Sequence, residues 1–170
     1  MRETRVYLQG YPPARPLLGM PESTTAETFL GFDYGAKYIG VAVGSRHSRQ
    51  AEPLTTLRGS AKNPDWVGVS KLIAQWRPDA LIVGLPLNMN GSGNPMTRAA
   101  RQFGEHLKDR YNLPVHMVDE RLSTLAARDI LNEAGVPMRR HKKRLDQVAA
   151  QTILQTFLNE LPGAPRDIGD

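Results

Sequence analysis

The chain has no cysteine in its 170 residues. That removes disulfides, thiolate zinc sites and cysteine nucleophiles together, and with them any secreted scaffold held by cross-links. No apolar run approaches the roughly 20 residues that cross a bilayer, and the N-terminus lacks the basic start and apolar core of an export signal. The expected compartment is therefore the cytoplasm. Aromatic residues are sparse, at 6%, and show no evident platform for stacked bases or base-reading motif. His47, His106, His116 and His141 are all too far apart in the chain for zinc-ligand spacing. There is no internal repeat, and His116 reads as structural.

What is present describes one folded domain. Hydrophobic residues make up 40% of the chain and charged residues 23%, proportions of a globular protein whose length suits a single core. The net charge is +5, with the excess concentrated in "RRHKKR", residues 139–144. Five permanent cations in six positions suit a polyanionic partner, nucleic acid or anionic lipid, although a solvated charge run has the same composition. Residues 1–26, with three prolines before Gly19 and no sustained period, read as a poorly ordered extension in which Met20 is an alternative start. Residues 27–161 form the domain, and 162–170 a tail.

Along the domain the pattern predicts strands over 28–33, 38–44 and 53–58, an antiparallel meander punctuated by Gly35 and Gly44. A helix follows with Asn63 as N-cap and Pro64 at its first position, placing Val69, Leu72, Ile73 and Trp76 on one face. Residues 80–85 are apolar without alternation, as a strand covered on both faces should be, which makes this the expected central strand. Asn94 and Pro95 start a second helix carrying Met96, Ala99, Ala100, Phe103 and Leu107. "VHMVDE" is the last strand. Helices from Ser123 to near Gly135 and over about 143–161 complete a β-β-β-α-β-α-β-α-α order, whose later strands are expected to be parallel.

Three acids are left without a local explanation. Asp33 lies in a strand, where aspartate is disfavoured, unless it serves the turn beside Gly35. Asp119 and Glu120 end a strand and point to opposite faces, so only one can serve a given site. Asp146 precedes Ala149, Ala150, Ile153 and Leu154 by three, four, seven and eight residues, which sets it on the apolar side of its helix. An ionised carboxylate there needs a cation or hydrogen bonds, and pairing with Lys143 or Arg144 is the plainer alternative. Together the acids suit a divalent cation of the Mg²⁺ or Mn²⁺ kind, which binds few protein carboxylates and leaves positions for water and phosphate.

Four stretches, "GFDYGAKYIGVAVG", "IVGLPLNMNG", "DERLST" and "DQVAAQTIL", resemble in order the signature blocks of the YqgF family, also called RuvX, over roughly residues 27–161. The resemblance implies a ribonuclease H-like fold: a five-stranded mixed sheet, order 3-2-1-4-5, flanked by helices, with the first strand central. It also implies a nuclease that processes the 5′ end of pre-16S rRNA, or alternatively a Holliday junction resolvase. On that basis Asp33, Glu120 and Asp146 are the catalytic and metal-binding acids. Junction resolvases of this fold keep another acid on the fourth strand, where this chain reads "IVGLP".

Lys37, Arg121, Arg139, Arg140, Lys142, Lys143 and Arg144 are then expected to hold the phosphates of precursor rRNA or branched DNA. Ribosomal precursor particles are a candidate partner, and a monomer or homodimer fits the sequence equally. The loop "LNMNGSGNP", residues 87–95, leads into a helix N-terminus able to receive phosphate, and Met89 and Met96 are expected to pack or cap. Two other classes stay open. "DYGAK" resembles the first phosphate loop of actin-like ATPases, of which this length holds only one half, and a non-catalytic RNA-binding factor would use the same basic surface.

Overall fold

The computed structural model describes residues 27–60, 63–121 and 138–162, with side chains at Ser60 and 138–144 excepted. The extension expected over 1–26, the helix expected after Ser123 and all but the first residue of the tail lie outside the described residues.

Strands β1 (Thr28–Tyr34), β2 (Tyr38–Ser45) and β3 (Ala51–Ser60) form the antiparallel meander. β4 (Asn63–Pro64) adds two residues to its outer edge, pairing with Gly59 and Ser60. Helix α1 (Trp66–Trp76) leads to β5 (Ala80–Leu85), which lies parallel to β1. Helix α2 (Pro95–Tyr111) leads to β6 (Val115–Asp119), parallel to β5. The last described helix is α3 (Met138–Glu160). The sheet order is β4-β3-β2-β1-β5-β6, the ribonuclease H-like arrangement with one short strand added. β5 is buried along its whole length, yet it lies next to an edge strand. The central place belongs to β1.

The sheet has six strands because α1 starts later than the sequence suggests. Asp65, not Asn63, is its N-cap, accepting from the Gly68 N–H at 2.9 Å. That frees Asn63 and Pro64 to extend the sheet at an edge, where a missing N–H is tolerated. The start of α2 follows expectation. Asn94 accepts from Thr97 N at 3.1 Å, Thr97 Oγ1 accepts from Asn94 N at 3.0 Å, and Pro95 opens the helix.

Strand alternation divides the core into two layers. Leu30 and Phe32 of β1, with Ile39, Val41, Leu81 and Val83, pack beneath α1 and α2 against Val69, Ile73, Phe103 and Leu107. Phe29, Ala42, Ala80 and Ile82 face the other way, onto Ala150, Ile153, Leu154 and Leu158 of α3. Small residues let α3 lie close to the sheet: a Cβ on Gly31 would stand 2.9 Å from Leu154 Cβ. Three glutamines four residues apart fix the helix along β3. Gln147 Nε2 donates to Thr56 Oγ1 at 3.0 Å, Gln151 Nε2 to the Ala51 carbonyl at 3.0 Å, and Gln155 accepts from Ala51 N at 2.9 Å.

Candidate active site

Asp33 stands one residue from the end of β1, on the α3 side of the sheet. Its partner across β2 is Gly40. On the β5 side the register pairs Phe32 with Val83, so the next position brings Gly84 beside Asp33. Both neighbours of the acid therefore lack a side chain. A Cβ on Gly40 would collide with the Asp146 carbonyl, and one on Gly84 with Glu120 Oε2 and Ile153 Cδ1. The two glycines make a notch in which α3 meets the sheet and a carboxylate from the neighbouring strand fits.

Glu120 enters that notch from the end of β6, its N–H donating to the Leu85 carbonyl at 3.2 Å. Its side chain hydrogen-bonds with that of Asp33. Asp119 points away to solvent, as strand alternation requires, and holds Arg121 by Nε–Oδ2 at 2.8 Å and Nη2–Oδ2 at 2.6 Å. Arg121 Nη1 also donates to the Met89 carbonyl at 3.4 Å, tying the 86–94 loop to this strand end. Thus Glu120, not Asp119, meets Asp33.

Two carboxylates in contact cannot both carry full charge without a compensating cation. Burial, then the charge of Glu120 and the hydrogen bond with it, push the Asp33 carboxyl up to about 8. Burial also raises Glu120, with the hydrogen bond to Asp33 opposing and the Asp119 charge adding. Burial is the larger cause for both acids, and for Asp33 the neighbouring Glu120 adds to it, so the pair favours holding a proton. Glu120 Oε2 is moreover buried without a hydrogen-bond partner, a vacant acceptor facing the notch. Two hard oxygen donors that conflict in charge fit a divalent cation of the Mg²⁺ type, for which one or two carboxylates suffice.

Of the three acids expected here, the structure brings Asp33 and Glu120 into contact. Asp146 is half-buried in α3, its backbone seated on Gly40 opposite Asp33. Among the described residues no three acids or histidines are grouped so as to hold one ion. Lys37 is exposed in the β1–β2 turn. For Arg139, Arg140, Lys142, Lys143 and Arg144 the helical backbone is described but the side chains are not. Met96 packs against the core as expected, whereas Met89 is 74% exposed at the loop tip and neither packs nor caps. The 86–94 loop is shaped instead by Asn88, Asn90 and Ser92, with Ser92 N donating to Asn90 Oδ1 at 3.0 Å. His116 is exposed, with its ring 5.2 Å from that of Phe157. The roles of Gly40 and Gly84 escaped the sequence reading; their signal was glycine within strands, where it costs stability unless something must approach.

A mixed sheet in this order, with an acid pair where its central and edge parallel strands end, defines a ribonuclease H-like domain with a paired-carboxylate site. The chain belongs to the RuvX family, whose profile, described as "RuvX: Holliday junction resolvase", matches residues 27–160. Among its relatives is a protein of Nitrosococcus oceani, 52% identical over 84% of this chain and 93% of its own length. Another, from Legionella pneumophila subsp. pneumophila, is 48% identical over 78% of this chain and 95% of its own. Both carry the description "Putative pre-16S rRNA nuclease". The fowlpox virus Holliday junction resolvase structure aligns over 79% of this chain and 99% of its own, with 15% identity and a TM-score of 0.47.

Proposed function

We propose that this chain is a divalent-cation-dependent nuclease that processes the 5′ end of pre-16S rRNA, with Asp33, Glu120 and Asp146 as its acids. The observation that carries the chemistry is the Asp33–Glu120 pair in its glycine-lined notch, with one buried carboxylate oxygen left unpartnered. The relatives' shared description supports the substrate. A bound Mg²⁺ or Mn²⁺ supplies Lewis acidity toward a phosphoryl oxygen and lowers the pKa of water. Asp33 and Glu120 would serve as anionic holders once their shared proton leaves, and Asp146, whose backbone lies over Gly40 beside Asp33, would have to turn its carboxylate toward the pair to join them. Lys37, in the turn that follows β1, holds a phosphate of the bound strand, and the 139–144 run adds positive charge at the start of α3. Arg121 is engaged by Asp119 and reaches the substrate from that pair. Precursor rRNA, alone or in ribosomal precursor particles, places the work in the cytoplasm.

The second reading, a resolvase acting on branched DNA, is favoured by the description of the matching family. It calls for a dimer with two symmetric sites. The test sets precursor rRNA beside a four-way DNA junction, each with Mg²⁺ or Mn²⁺, using wild-type protein and Asp33→Asn. Cleavage of the rRNA at its 5′ end, lowered on the order of 10²–10³-fold by the substitution with affinity retained, is the expected result. Equal cleavage by the variant would remove Asp33 from the chemistry, and junction cleavage alone would select the resolvase.

A further inference from the structure

Across the β1–β2 turn from Asp33, on the other side of the sheet's end, lies a hollow of about 650 Å³. Its walls differ in kind. Lys37 and Arg58 stand on one side, brought together because Tyr38 pairs with Arg58 and the Lys37 carbonyl accepts from Gly59 N at 3.0 Å. Pro64, Trp66 and Val67 stand on the other. Val67 is 68% exposed in the first turn of α1, one of two large apolar side chains so exposed among the described residues. Nothing in the core calls for it there.

The acid in this hollow, Asp65, is occupied in capping α1. Among the described residues neither Lys37 nor Arg58 has an ion-pair partner. A second hollow of about 450 Å³ shares Asn63, Pro64 and Trp66 with the first, and continues past Tyr34, the residue after Asp33, to His106 and Arg110. There the Arg110 guanidinium lies 4.2 Å from the centre of the Trp66 ring. Asp109 is the acid of this second part. The trench therefore begins beside the candidate catalytic strand and pairs cations with apolar and aromatic walls along its course.

We propose that this trench seats an unpaired segment of the substrate strand, its phosphates on Lys37 and Arg58 and a base against Val67, Pro64 and Trp66. The inference rests on the nuclease reading for its place beside the cleaved bond. A single strand offers a phosphate and an open base face in each residue, matching the two walls, whereas a duplex keeps its base faces stacked on one another. The volume lies within the range of ligand-sized clefts, roughly 300–1,000 Å³.

Binding of the full chain to a short labelled RNA strand, the same DNA strand and a blunt duplex, measured by fluorescence anisotropy in EDTA, tests the proposal apart from cleavage. Arg58→Glu and Val67→Asp should each weaken binding of the single strands about tenfold, with little effect on the duplex. Arg58→Ala should lower the slope of log affinity against log salt by about 0.7, one strand phosphate. Lys108→Glu, an equal charge reversal on an exposed part of α2, should change neither. In Trp76→Phe, which leaves Trp66 as the one tryptophan of the original two, emission should be quenched by the RNA strand. Unaltered single-strand affinity in both trench variants overturns the proposal, as does an equal loss for the duplex. So does conversion of a dimer to a monomer in light scattering with affinity intact, which would make the trench a contact between copies. Selective loss of strand binding in a protein that cleaves nothing with Mg²⁺ or Mn²⁺ would sustain the trench and sink the nuclease reading.

Discussion

Asp33 owes its environment to two residues with no side chain. Gly40 and Gly84 flank it on β2 and β5, and each is occupied by something else: the Asp146 backbone over one, the Glu120 carboxylate over the other. The two positions should respond differently to an added methyl. At Gly40 the obstacle is main chain in the middle of a packed helix, which cannot move alone. At Gly84 it is the far ends of Glu120 and Ile153, which can. Gly40→Ala should therefore cost about 3 kcal/mol or more in urea denaturation, and Gly84→Ala about 1 kcal/mol. The catalytic effects should run the other way relative to stability, since Gly84→Ala expels Glu120 from the notch. A folded Gly84→Ala protein with wild-type cleavage would show that the Asp33–Glu120 contact is dispensable.

At the scale of elements, the position of α3 decides where Asp146 and the basic run begin. The apolar face of α3 sets its distance from the sheet, but apolar packing alone permits sliding along the strand direction. Gln147, Gln151 and Gln155 remove that freedom by bonding to β3 at three successive turns. Two of them, Gln151 and Gln155, also satisfy the carbonyl and the N–H of Ala51 at the start of β3. Gln155→Ala leaves the partly buried Ala51 N–H without its acceptor. The expected cost is about 1–2 kcal/mol in chemical denaturation. Cleavage should fall as well, because α3 carries Asp146. A loss confined to stability would mean that the remaining two glutamines hold the register.

For the whole molecule, the acid pair links protonation, cation binding and stability. Asp33 has a folded pKa of about 8, above its unfolded value near 4. Between those values the folded state binds more protons than the unfolded one, so stability falls as pH rises through the window. In EDTA, the melting temperature of the wild type should drop from about pH 5 to about pH 8 more steeply than that of Asp33→Asn. Mg²⁺ or Mn²⁺ should restore the loss at the upper end in the wild type and not in the variant, because a ligand of the folded state stabilises it by mass action. Parallel melting curves for the two proteins across this range would argue that the carboxylates are not in contact in solution.

Much of this was written in the order of the residues. Strand and helix periodicity, the Asn94-Pro95 start and the run at 80–85 suffice for the element order, because each depends on neighbours within a few positions. The opposed faces of Asp119 and Glu120 follow from strand geometry, and the apolar stripe of α3 from helix geometry. Asn63-Pro64 and Asp65 offer competing starts for α1, and pairing with Gly59 and Ser60 selects between them. Strand 80–85 looked central because burial on both faces is all its composition reports; its place beside an edge strand depends on where β6 docks. Which of two adjacent acids meets Asp33 likewise required register between β1, β5 and β6, a relation among residues up to 87 positions apart in the chain, Asp33 to Glu120. The sequence by itself determined which residues could carry charge and which faces would be buried. Only tertiary structure decided that two carboxylates share one glycine-lined space, because that proximity is set by strands and a helix packing together and by no local preference of either acid.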